Sequence, residues 1–155
     1  MRKFRHAMPM LLGAALLSAV PCSSTTLFGV RAGEYTEVGD PFLGLELNTS
    51  LQHNIWFNPN VEYVFRDDGD LATLNFDFHY DFPVQRPFLV WAGGGPALIY
   101  RKDELPRGRS ESETDFGLNL LGGVGWTVGR LVPYAQAKAI LSDDNEFVIA
   151  FGLRF

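Results

Sequence analysis

The sequence predicts an all-β fold: an eight-stranded antiparallel up-and-down transmembrane β-barrel preceded by a signal peptide. Three observations predict it. The last stretch, Glu146 to Phe155, puts Phe147, Ile149, Phe151, Leu153 and Phe155 on one side and Val148, Ala150, Gly152 and Arg154 on the other, since alternate side chains of a strand face opposite ways. Six of the seven earlier strand-length stretches carry the same period of two. The links between them alternate along the chain, acidic ones taking turns with compact ones that hold no acid. A continuous outward row of Leu and Phe suits a strand facing lipid, with small and polar residues filling a narrow lumen.

Composition agrees once the averages are taken apart. The 155 residues are 46% hydrophobic and 14% aromatic, yet mean hydropathy is only +0.01, because lipid-facing and lumen-facing residues cancel within each strand. Residues 1–24 form the expected signal peptide: Arg2, Lys3 and Arg5 precede an apolar run from Leu11 to Val20. That run is too short for a membrane-spanning helix, and no comparable one follows. The barrel domain is then 25–155. Without those three cations, 10 basic residues face 18 acidic ones, a net charge near −8, which argues against nucleic acid as a partner. Cys22 is the only cysteine, so no internal disulfide forms. A boundary cysteine is favoured over a lipidation site, because Pro21 stands where a lipobox has a small residue.

The strands follow in order. Leu27–Thr36 sets Phe28, Val30 and Ala32 against Gly29, Arg31 and Gly33, and the turn Val38-Gly39-Asp40-Pro41 ends it. Phe42–Leu51 alternates Leu43, Leu45 and Leu47 with Gly44, Glu46 and Asn48. Ile55–Arg66 opposes Val61, Tyr63 and Phe65 to Asn58, Asn60 and Glu62, with Pro59 marking an edge or bulge. After Asp67-Asp68-Gly69-Asp70, the segment Leu71–Phe82 alternates Leu74, Phe76, Phe78, Tyr80 and Phe82 with Asn75, Asp77, His79 and Asp81. Phe88–Tyr100 is the fifth strand, its phase obscured by Gly93-Gly94-Gly95-Pro96. Arg101–Thr114 reads as a long polar link. Asp115–Thr127 has Phe116, Leu118, Leu120, Val124 and Trp126 outward, with Gly117, Asn119, Gly123 and Gly125 inward. Leu131–Leu141 alternates Ala135, Ala137 and Ala139 with Gln136 and Lys138, and Ser142–Asn145 turns into the closing strand. A soluble lipocalin-type barrel is the alternative. It would have to pack the leucine and aromatic set into one small core, and it gives no reason for links sorted by side.

The phrases GVRAGEY, FNPNVEYVF, RPFLVWAGGGPALIY and RLVPYAQAKAIL, with the terminal Phe155, make the chain resemble the small bacterial outer-membrane β-barrel family of OmpA/OmpX/OmpW type. The resemblance implies export to the outer membrane of a Gram-negative-type cell. It also implies that Phe147, Ile149, Phe151, Leu153 and Phe155 form the signal read by the barrel-assembly machinery. Outer-membrane lipid and lipopolysaccharide are the expected surroundings, and a monomer the expected state. The resemblance names an architecture rather than a function.

Candidate site residues lie in the lumen. Arg31, Lys138 and Arg154 are available to pair with Glu46, Glu62 and Asp77, because an eight-stranded barrel has room only for side chains and a buried charge needs a partner. His79 joins this set, flanked by Asp77 and Asp81 at a carboxylate–histidine spacing, but no serine neighbours it in sequence. No catalytic residues, no metal site and no cofactor are therefore expected. The acidic links holding Asp67, Asp68, Asp70, Asp143, Asp144 and Glu146 match no EF-hand spacing. Trp56, Trp91 and Trp126 are candidates for interfacial girdles. Three functions stay open: a structural or surface-interaction protein with a plugged polar lumen, a porin-like conduit for small or apolar solutes, and, third, a lipid-modifying enzyme.

Overall fold

The computed structural model describes residues 25–37, 39–66, 69–105 and 109–155. The expected signal peptide, Cys22, and the turn residues Val38, Asp67 and Asp68 lie outside them. Eight strands follow in sequence: β1 (Thr26–Tyr35), β2 (Asp40–Gln52), β3 (Ile55–Arg66), β4 (Gly69–Asp81), β5 (Phe88–Leu105), β6 (Arg109–Trp126), β7 (Val132–Leu141) and β8 (Glu146–Arg154). Each pairs antiparallel with the next, and β1 pairs with β8 from Gly29↔Arg154 to Tyr35↔Val148, closing the barrel. Phe155 continues the seam by exchanging backbone bonds with Phe28, at 3.0 and 2.8 Å. Closure satisfies the backbone of every strand within the wall, as a membrane interior demands.

Alternation sorts the wall as the sequence predicts. Leu45, Leu120 and Phe151 stand outward, more than half exposed, within a wide band of other outward apolar side chains. Water would leave such a band unfavourable; hydrocarbon does not. The links β1–β2, β3–β4, β5–β6 and β7–β8 share one end, here the outer end. The other three links share the inner end with Thr25 and Phe155.

Three sequence expectations change. The polar stretch Arg101–Thr114 is mostly strand: β5 and β6 pair from Phe88↔Trp126 to Leu105↔Arg109. Beyond the apolar band a hairpin needs no greasy face, so its strands carry no hydropathy signal. The pairing of β6 with β7 stops at Leu118↔Leu141. Among the described residues, Arg109–Gly117 therefore has no ladder partner on its β7 side. Second, Pro59 sits within an unbroken β3–β4 ladder; the interruption falls on the β2 side, where Asn58 Nδ2 donates to Leu47 O at 2.7 Å. Third, Trp56 and Trp91 point inward and only Trp126 faces out, because the even-numbered residues of β3 and the odd-numbered residues of β5 line the lumen.

The lumen is layered. Toward the outer end Tyr35, Phe42, Val64, Leu71, Ile99, Ile140, Val148 and Ala150 pack as one apolar layer. Polar side chains occupy the middle. Trp91, Leu121 and Tyr134 pack beneath them, toward the inner end.

Candidate functional site in the lumen

The inward phase of each strand carries the polar residues to one axis. Arg31, Glu46, Glu62, Asp77, His79, Lys138 and Arg154 are all buried there. Two carboxylates organise the cations. Glu62 accepts from Lys138 Nζ at 2.9 and 2.8 Å and from Tyr35 Oη at 2.7 Å, while Arg31 Nε lies 3.3 Å away. Glu46 accepts from Arg154 Nε at 2.9 Å, Tyr134 Oη at 2.7 Å and Asn58 Nδ2 at 3.0 Å. Arg31 Nη1 is 3.7 Å from Glu46, so its guanidinium lies between the two acids. Arg154 also lies over the rings of Tyr134 and Trp91, 4.4 and 4.9 Å from their centroids. Such multiple pairing compensates the desolvation that a buried charge suffers.

Asp77 departs from the expected pairing with a cation. Its two oxygens accept from Asn60 at 2.9 Å and Asn119 at 2.7 Å. Asn119 also donates to Asn75, which donates to Asn60, closing a ring of amides around it. These asparagines, with Tyr35, Tyr134, Thr73 and Gln136, are the members that charge-based reading overlooks. They were findable, since each occupies the same alternating phase as a charged neighbour. Trp91 is a further member, 2% exposed, donating from Nε1 to Gln136 Oε1 at 3.1 Å. Gly123 faces it because any Cβ there would strike the indole.

His79 is not brought against Asp77. Its Nε2 lies 3.4 Å from Asp81 Oδ1 at the inner mouth, and its ring packs 5.8 Å from that of Trp91. Ser50 is level with it in register, but Trp56 on β3 stands between them. At the outer rim Arg101 donates to Asp144 at 2.7 Å and approaches Glu146 at 3.9 Å; Tyr63 donates to Asp70 at 2.6 Å. Among the described residues, no group of three His, Cys, Asp or Glu side chains is placed to hold a metal. The outward Phe147, Ile149, Phe151, Leu153 and Phe155 form one edge of the apolar band beside the closing seam.

No protein-family model matches the chain, and no curated protein sequence matches it. Solved structures do. The N-terminal β-barrel domain of Pseudomonas aeruginosa OprF superposes with a TM-score of 0.71 at 13% identity, over 85% of this chain and 96% of that one. Neisserial surface protein A gives 0.70 at 14%, over 84% and 97%. Ail, the attachment invasion locus protein of Yersinia pestis, gives 0.60 at 17%, over 85% and 97%, and is described as an outer membrane protein. With its apolar exterior and polar lumen, the chain has the fold of the small eight-stranded outer-membrane β-barrels.

Proposed function

We propose that this protein resides in the bacterial outer membrane as a barrel with a plugged lumen, and acts as a rigid mount for a surface-interaction hairpin. The free edge of β6 carries this reading. Among the described residues, nine residues of strand, Arg109–Gly117, have no ladder partner on the β7 side, an edge of about 30 Å at the usual rise per residue. An unpaired edge is a template for an added strand. The segment reads RSESETDFG, three acids against one base, so the fitting partner is an extended basic segment. A second copy added edge to edge would set like charges together.

Ail has been solved with the heparin analogue sucrose octasulfate. A polyanion suits this rim poorly: Asp143, Asp144 and Glu146 alone match Arg66, Arg101 and Lys102 in number. The apolar outer layer and the paired charges beneath it favour a plug over a solute conduit. We assign no reaction to His79, which has Asp81 beside it and, among the described residues, no nucleophile in contact. Phe155 and the apolar row of β8 fit a signal for barrel assembly, and lipid and lipopolysaccharide fit the outer wall of a monomer.

The test shortens the hairpin. Lys102 and Ser112 are cross-strand partners, so replacing 103–111 with Asn-Gly closes the loop with a two-residue turn. The intact barrel is expected to bind a lysine-rich β-forming peptide, and the shortened one, which keeps only Ser112–Gly117 of that edge, to bind it more weakly while still folding. Equal binding by both contradicts the proposal.

A further inference from the structure

At the inner end the lumen opens into a cavity of about 320 Å³, the size of a small-molecule site. Asn48, Trp56, Asp81, Arg86 and Arg154 are among its walls. Two of these hold polar atoms without a hydrogen-bonding partner among the described residues: Asn48 Oδ1, on a residue 4% exposed, and Asp81 Oδ1. His79 Nε2, behind Asp81, lies 3.4 Å from that oxygen at a geometry that makes no hydrogen bond. Buried polar atoms are normally satisfied, so two acceptors beside one cavity, Asn48 Oδ1 above all, point to something that donates hydrogen bonds there.

The wall selects its charge. Asp81 disfavours an anion, while Arg86 and Arg154 disfavour a cation, Arg154 being already held by Glu46. A neutral ligand rich in hydroxyl groups meets hydrogen-bonding partners at Asn48, Asp81 and Arg86, and its apolar face meets the Leu, Phe and Val side chains of the remaining wall. Trp56, half-buried at the cavity wall, adds an indole against which the apolar face of a ring can lie. We propose that the inner mouth is a binding site for a neutral pyranose: the sugar hydroxyls donate to Asn48 and Asp81, and its ring rests on Trp56. The ring is supplied by a free sugar or by a glycan end on that side of the membrane.

The test is a tryptophan-fluorescence titration of the purified barrel in a detergent without a sugar head group. Probes are glucose, N-acetylglucosamine, a short N-acetylglucosamine oligomer and tetramethylammonium. A saturable change with the sugars but not the ammonium is expected, and tighter binding of the oligomer would assign the glycan end. Asp81→Ala is expected to weaken binding about tenfold, the effect of one lost hydrogen bond. Should that variant fail to fold, Trp56→Leu, read by sugar-proton magnetisation transfer, is expected to weaken binding comparably. No saturable response, equal response to the ammonium, or binding indifferent to these variants would overturn the site and leave a cavity filled by water.

Discussion

Lys138 on β7 and Glu62 on β3 meet across the barrel axis, the ammonium within 2.9 Å of both carboxylate oxygens although 76 positions separate the residues. Neither side chain is accessible to solvent. Removing Lys138 alone leaves Glu62 with Arg31 at a less favourable geometry. Lys138→Met is expected to lower unfolding stability by about 3–5 kcal/mol. Adding Glu62→Gln is expected to recover part of that loss, because contacting residues are not additive. Urea unfolding in lipid vesicles measures both; strictly additive losses would contradict the pairing.

Gly123 and Trp91 set the fit of the inner layer. A methyl at position 123 would fall on the six-membered ring and nitrogen of the indole. Gly123→Ala is therefore expected to cost about 1–3 kcal/mol by overpacking. Trp91→Phe in the same chain removes the struck atoms and should return part of it. A neutral Gly123→Ala would place the indole elsewhere.

Outward positions should report their depth. Leu45, within the apolar band, and Phe116, 78% exposed near the outer end, both face away from the lumen. Leu45→Arg is expected to cost about 2–4 kcal/mol and Phe116→Arg about 0–1, the depth dependence of lipid-facing charge. Vesicle refolding titrations compare them. Equal costs would mean that the band does not lie in hydrocarbon.

The lumen layers predict a silent barrel. Planar bilayers holding the purified protein should show no stepwise conductance. Phe42→Ser with Ile99→Ser, which cuts into the outer apolar layer, should admit water without opening the charge network beneath. Steady conductance by the unaltered protein would favour the conduit.

Much of this architecture is legible in the residues, and its gaps have physical causes. Where large apolar and small polar residues alternate, as in Ile55–Arg66, the expected and observed strands coincide. The phase of β5 is hidden at Gly93–Gly95, where side chains vanish, and Trp91 is misplaced to the outer wall as a result. The hairpin beyond the band has no apolar contrast to read. The charges of the lumen are found by parity, but which acid takes which base depends on register across strands. Asp77 lies amid amides rather than cations because β3 and β6 bring Asn60 and Asn119 to it. Nothing local to β4 announces that.

Heat-modifiability combined with membrane fractionation tests the membrane-spanning barrel most directly. Cells would carry the full chain or one lacking Phe155, and boiled and unboiled samples would be compared on a gel. Recovery in the outer membrane with a mobility shift on boiling is expected, reduced when Phe155 and its bonds to Phe28 are removed. A soluble protein whose mobility ignores boiling, with or without Phe155, would contradict it.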